Sequence, residues 1–133
     1  MTPCFADAFY FLAMLNPHDE AHAFAVALAS SLRRPMVTTA WVLTEVADAL
    51  AETPNRALFG TLLARLRSDP RAVVVPTTDD LFKRGVELYE ERPDKGWSLT
   101  DCISFVVMKQ DGINEALTGD HHFEQAGFVV MMR

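Results

Sequence analysis

Short apolar runs alternate with amphipathic stretches along the whole of this chain. Residues 4–6 read as a strand ending at Asp7, and the apolar stretch 8–15 behind them reads as a helix that Asn16-Pro17 breaks. A second helix is expected over about 19–32, where Phe24, Leu28 and Leu32 are spaced for one face, before Arg34-Pro35 stops it. Residues 36–39 form a second strand, and 41–52 a helix with Val42, Val46 and Leu50 four apart. Another amphipathic helix over 57–66 carries Leu58, Leu62, Leu63 and Leu66, and Asp69-Pro70 ends that region. The β-branched run 72–75 is too short for a helix and suits a buried strand. Residues 77–80 offer caps for a helix over 81–91, which the Pro93–Gly96 stretch breaks, and Ser98 to Asp101 opens an apolar helix over 102–109. Residues 115–118 make a fourth strand, 121–125 a short helical turn and 128–132 a fifth strand.

Strands that alternate with helices, and are short and apolar throughout, belong in a parallel sheet covered by helices on both faces. No repeat, low-complexity tract or linker divides residues 1–133, so a single α/β domain with one substantial core is expected. Composition agrees, since 50% hydrophobic and 23% charged residues describe a globular protein rather than a disordered tail. The apolar start lacks a basic leading segment and contains Asp7, which argues against a signal peptide, and no run is long enough to span a bilayer. No membrane partner is expected. Cys4 and Cys102 sit in apolar surroundings and read as buried reduced thiols, which points to the cytoplasm.

Charge narrows the function classes. A net charge of −6 argues against broad electrostatic adhesion to nucleic acid. A local basic rim remains open to Arg33, Arg34, Arg65, Arg67, Arg71, Lys83 and Arg84, most of which read as solvated face. The acids are more informative. In an open parallel sheet, ligands bind beyond the carboxyl ends of the strands. Asp7 follows the first strand, Asp120 follows the fourth, Asp101 starts a helix, and Glu45 lies one turn into the helix after the second strand. Were they to converge, two carboxylates about 5 Å apart would repel by roughly 3 kcal/mol at an effective dielectric near 20. Such a cluster shares protons or binds a cation, and hard carboxylate oxygens select Mg²⁺ or Mn²⁺. Those ions activate water and stabilise a phosphodiester under in-line attack, so convergence would mean phosphodiester hydrolysis.

Each acid also has a purely structural reading. Asp7 can cap the helix behind it, and Ser98-Leu99-Thr100-Asp101 matches a loose capping box. Glu45 shares a helix face with Asp48 and Glu52, and Asp120 fits a turn. The functional reading rests on the four occurring together.

The stretches "FADAFYFLAMLNPHDEAH", "TTAWVLTEVADAL" and "SLTDCISFVVMKQDGINEALTGDHHFEQAGF" together resemble a PIN domain, most of all the stand-alone toxin ribonucleases of the VapC type. The resemblance runs from the first strand to the last and rests on the order and spacing of the acids. It implies a three-layer α/β/α sandwich around a mainly parallel five-stranded sheet, and a metal-dependent endoribonuclease. Carried across by motif, Asp7, Glu45, Asp101 and Asp120 are the implied active-site acids. Asp7 and Asp101 would be the principal Mg²⁺ or Mn²⁺ ligands, with Asp120 completing the pocket. Glu45 would bind metal through water or orient the attacking water, and Thr118 would fix Asp120 by a hydrogen bond. Implied partners are an RNA substrate, a cognate antitoxin of a type II toxin–antitoxin module, and a second copy in a homodimer. One departure matters: many relatives carry another acid two residues after the position of Asp120, where this chain has His122. That favours a single tightly held metal, or a second ion arriving with substrate phosphate, with His122 lining the pocket.

Other motifs compete. The "HDEAH" stretch at 18–22 spaces two histidines as a zinc helix would, but Asp19 stands where a metalloprotease needs glutamate and no third ligand is evident. His121 and His122 are adjacent, so on a helix their rings should diverge. A degenerate fold acting as a protein-binding module would lack a principal acid, and none is missing. A housekeeping RNA-processing nuclease would keep all four. A phosphatase with Asp7 as nucleophile would want, in one large class, a second aspartate where Phe9 stands.

Overall fold

The computed structural model of the chain describes residues 1–133. Its five strands are β1 (Cys4–Ala6), β2 (Met36–Thr39), β3 (Ala72–Val75), β4 (Glu115–Leu117) and β5 (Val129–Val130). They form one sheet in the order β3-β2-β1-β4-β5, every pairing parallel. The connecting helices are α1 (Ala8–Leu15), α2 (His22–Ser31), α3 (Ala40–Leu50), α4 (Leu58–Ser68), α5 (Asp79–Glu91), α6 (Leu99–Gln110) and α7 (His121–Gln125). Right-handed crossovers carry α1–α4 over one face and α5–α7 over the other, which makes the three-layer α/β/α sandwich.

Strand order creates the place for a site. From β1 the chain steps outward to β2 and β3, then returns to the other side of β1 at β4. The carboxyl ends of β1 and β4 therefore flank a switch point, where diverging connections leave a crevice. The strand at the centre, β1, is buried along its whole length. Its neighbour in the core, α6, buries Cys102, Ile103, Phe105, Val107 and Met108. The Phe105 ring meets Trp97 and Phe123 edge-on at centroid distances of 5.0 and 4.9 Å, an arrangement favoured by the aromatic quadrupole. Close approach of α5 to α6 depends on Gly85, where a β-carbon would overlap Ile103 Cγ1.

Several expectations need correction. The run 72–75 is an edge strand rather than a buried one, and Val73 is 51% exposed. A continuous β-branched run reports strand propensity, not which neighbours the strand acquires. Helix α2 begins at His22 because Asp19 Oδ1 accepts the Ala21 N–H at 2.8 Å and holds the preceding residues in a turn. Leu28 and Leu32 pack against the core as expected, but Ala25 is the buried residue of α2 and Phe24 stays 42% exposed. Thr118 lies just beyond β4, and β5 is only the pair Val129–Val130. Both cysteines are buried and unpaired, and burial pushes their thiols up, Cys102 to about 11. No helix is long and apolar enough to cross a membrane.

Candidate active site

Asp7 stands at the carboxyl end of the central strand, 5% exposed, at the N-cap position of α1. Its side chain does not cap that helix. Thr118 Oγ1 instead donates to Asp7 Oδ2 at 2.9 Å. Burial pushes the Asp7 carboxyl up to about 7, with the charges of Asp101 and Glu45 adding to the rise and the Thr118 hydroxyl opposing it. The same hydroxyl oxygen accepts the Asp120 N–H at 3.1 Å, so one buried group ties the ends of β1 and β4 together. Thr118 therefore holds the side chain of Asp7 and only the backbone of Asp120.

Asp101 is placed by local chemistry. Ser98 Oγ accepts the Asp101 N–H at 3.0 Å, and Asp101 Oδ2 accepts the Ser98 N–H at 3.2 Å. This reciprocal capping box starts α6 and aims the carboxylate at the crevice. The capping and site readings are thus both true of one residue. Burial raises the Asp101 pKa first, the Asp120 charge adds, and the Ser98 N–H and His122 oppose.

Glu45 enters from α3, whose start is fixed by the Thr39 side chain accepting the Val42 N–H at 3.1 Å. It is exposed at the rim. Its pKa is nevertheless raised, chiefly because neighbouring elements displace water, then through Asp101, Asp120 and Asp48 in that order. Two acids from distant elements outweigh the one on its own helix. The four acids therefore share one electrostatic environment.

His122 bridges two of them. Its Nδ1 lies 3.2 Å from Asp101 Oδ2 and 3.3 Å from Asp120 Oδ1. The Asp120 side chain caps α7 by accepting the His122 N–H at 2.9 Å. The rings of His121 and His122 do not diverge: their centroids are 4.4 Å apart. Both lie in the first turn of a short helix, and Asp120 Oδ1 draws both, His121 Nδ1 being 3.7 Å away. One ligand atom each from Asp120, His121 and His122 falls within 4.8 Å of the others. In Asp101 and Asp120 every protein hydrogen bond falls on a single oxygen, leaving the second as a hard donor. Carboxylates of this kind, with an imidazole beside them, suit Mg²⁺ or Mn²⁺.

Other residues lie elsewhere. Arg34 pairs with Glu115 at 3.0 Å at the amino edge of the sheet, where Arg33 and Arg71 also precede strands. Arg84 bonds Gln110 and Asp80. None of these four is paired with the site acids, whereas Arg133 donates to the Gly119 carbonyl at 3.5 Å, next to Asp120. In the 18–22 stretch, His22 Nδ1 lies 2.8 Å from the Ala13 carbonyl, and His18 precedes the helix. Sequence reasoning passed over Phe9 as a site neighbour. The signal available was a large apolar residue two places after Asp7, and its meaning depended on Gly119, against which it packs.

Comparison with known proteins identifies the family and the fold. The family profile of the PIN domain matches residues 4–129. The chain is 31% identical over 126 residues to the 23S rRNA-specific endonuclease VapC20 of Mycobacterium tuberculosis, covering 94% of this chain and 95% of that protein. The crystal structure of M. tuberculosis VapC20, described as a sarcin–ricin loop cleaving toxin, superposes with a TM-score of 0.85 at 28% identity, covering 95% and 96% of the two chains. FitAcB from Neisseria gonorrhoeae shares the fold at a TM-score of 0.64 and 19% identity, covering 96% of this chain and 95% of that one. VapBC2 from Rickettsia felis, bound to promoter DNA, does so at 0.66 and 13%, covering 97% of each. With the match spanning nearly the whole chain, this protein belongs to the PIN-domain family.

Proposed function

We propose that the protein is a Mg²⁺- or Mn²⁺-dependent endoribonuclease, the toxin of a type II toxin–antitoxin module acting in the cytoplasm. The observation that carries this reading is the meeting of Asp7, Glu45, Asp101 and Asp120, from separate elements, at the switch point of the sheet. Asp7, Asp101 and Asp120 hold the ion, with Asp7 and Asp101 as principal ligands. When bound, it neutralises charge on the phosphodiester and lowers the pKa of water for in-line attack. The chain's own residues supply the rest. Thr118 fixes the orientation of Asp7, and Ser98 fixes that of Asp101. His122 spaces Asp101 from Asp120. Glu45, exposed at the rim, with its carboxyl pKa raised by displaced water and neighbouring acids, orients the attacking water.

The 23S rRNA target of the mycobacterial relative supports an exposed RNA loop, ribosomal in origin, as the substrate class. A cognate antitoxin and a second copy of the chain are the expected partners. Exposed Phe24 and Val26 on α2, and Phe82 and Tyr89 on α5, offer apolar surface for them. The test is direct. Purified protein should cleave loop-containing RNA with Mg²⁺ or Mn²⁺, and chelation or Asp101→Asn should each lower the rate at least about 100-fold with the fold unchanged. Expression should arrest growth, and Asp7→Asn should relieve the arrest. Cleavage that persists after both chelation and Asp101→Asn would sink the mechanism.

A further inference from the structure

Phe9 lies on the first turn of α1, two residues beyond Asp7, and is 38% exposed although its neighbours Ala8 and Tyr10 are buried. Its ring is held close to the acids. A β-carbon at Gly119 would lie 2.6 Å from Phe9 Cζ and 2.9 and 3.2 Å from Cε1 and Cε2, so the tip of the ring rests on the Gly119 backbone. Gly119 does not have a positive φ, so backbone conformation does not require glycine there. The ring does. Gly119 sits between Thr118, which holds Asp7, and Asp120. An aromatic side chain unused by the core thus spans the ends of β1 and β4 beside the acids, with over a third of the residue open to water.

We propose that Phe9, seated on Gly119, is the stacking platform for a nucleobase flanking the scissile phosphate, an assignment that rests on the ribonuclease reading. Arg133 reaches the crevice, donating to the Gly119 carbonyl at 3.5 Å, but it is paired with Glu124 at 2.7 Å, which leaves little free positive charge there with which to grip RNA. Uncharged contact must then orient the strand. Stacking does this for any base and is worth about 5- to 150-fold in binding per base. Phe9 is a positioning residue in this scheme, and it presents the phosphodiester to Asp7, Asp101 and Asp120.

The experiment uses loop RNA oligonucleotides carrying 2-aminopurine at one position at a time around the cleaved bond, bound to the full chain carrying Asp101→Asn. Fluorescence should be quenched at a single nucleotide flanking that bond. Adding Phe9→Leu should abolish the quenching and weaken binding about 5- to 10-fold, and Phe9→Trp should restore both. Gly119→Ala, which displaces the ring without removing it, should weaken the quenching independently. In the otherwise unaltered enzyme the loss for Phe9→Leu should fall mainly on KM, with the melting temperature close to that of the parent. Quenching that survives Phe9→Leu overturns the proposal, as does a defect confined to inhibition by the antitoxin. A parent protein that cleaves RNA with no dependence on Phe9 removes this assignment alone. A parent that neither binds nor cleaves RNA removes the ribonuclease reading with it.

Discussion

At the scale of single residues, the strongest constraint is that Asp7 is buried with other acids for company and one hydroxyl for a partner. A carboxyl with a raised folded-state pKa contributes stability that is present at low pH and lost as pH climbs. Between the ordinary value near 3.8 and about 7, the unfolded chain has released the proton that folded Asp7 retains, so unfolding gains ground with each step upward. Asp101 and Glu45 are shifted in the same direction. Metal-free protein should therefore lose roughly 1–3 kcal/mol of stability between about pH 4 and pH 7, as measured by urea denaturation in chelator. Saturating Mg²⁺ should flatten that loss, because the ion favours the ionised cluster. Stability that rises over the same window would contradict the assignment.

His122 carries a second residue-scale prediction. An imidazole between Asp101 and Asp120 would soften the donor set that these carboxylates offer an ion. Imidazole suits transition ions better than Mg²⁺. The enzyme should reach half-maximal rate at a lower concentration of Mn²⁺ than of Mg²⁺, and His122→Asp should narrow that gap about 10-fold or more. Metal titrations of the cleavage rate on both proteins would show it; an unchanged ratio would place His122 outside the metal environment.

At the scale of elements, α6 connects the core to the chemistry. Its apolar body anchors it between the sheet and α5, while its capping box presents Asp101 at the crevice. Helix position and ligand position are therefore coupled. Gly85 sets the distance between α5 and α6, since any side chain there meets Ile103. Gly85→Ala should destabilise the protein by about 1–3 kcal/mol despite alanine's better helix propensity, because overpacking outweighs it. Chemical denaturation would measure this, and a stabilised variant would mean that α5 moves freely. Much of this level was legible in advance. Pro35, Pro70 and Pro76 mark the flanks of β2 and β3, and Ser98 with Asp101 announced the start of α6. On α2, the spacing places Leu28 and Leu32 correctly but not Phe24, because the face is chosen by packing, in which small Ala25 is buried and Phe24 is left exposed.

At the scale of the whole molecule, charge is separated along the strands, with acids at the carboxyl edge and several arginines at the amino edge. At the carboxyl edge Arg133 reaches the Gly119 carbonyl but is paired with Glu124, so few phosphates of a bound RNA can be neutralised by side chains. A plot of log affinity for short RNA against log monovalent salt should have a slope no steeper than about −2, since each neutralised phosphate on a single strand contributes about −0.7. A steep slope would reveal a basic surface engaged by the RNA.

The sequence by itself determined the succession of strands and helices and the four acids, because periodicity, breakers and caps act within a few residues of themselves. It also carried the family resemblance, which lies in the order of those acids. Only the tertiary structure decided that β3 is an edge, that Thr118 reaches Asp7 across 111 residues of chain, that His122 bridges two acids, and that Phe9 lies on Gly119. Those relations depend on which strands become neighbours. Neighbour choice is settled by the packing of the whole chain, and no local run of residues encodes it.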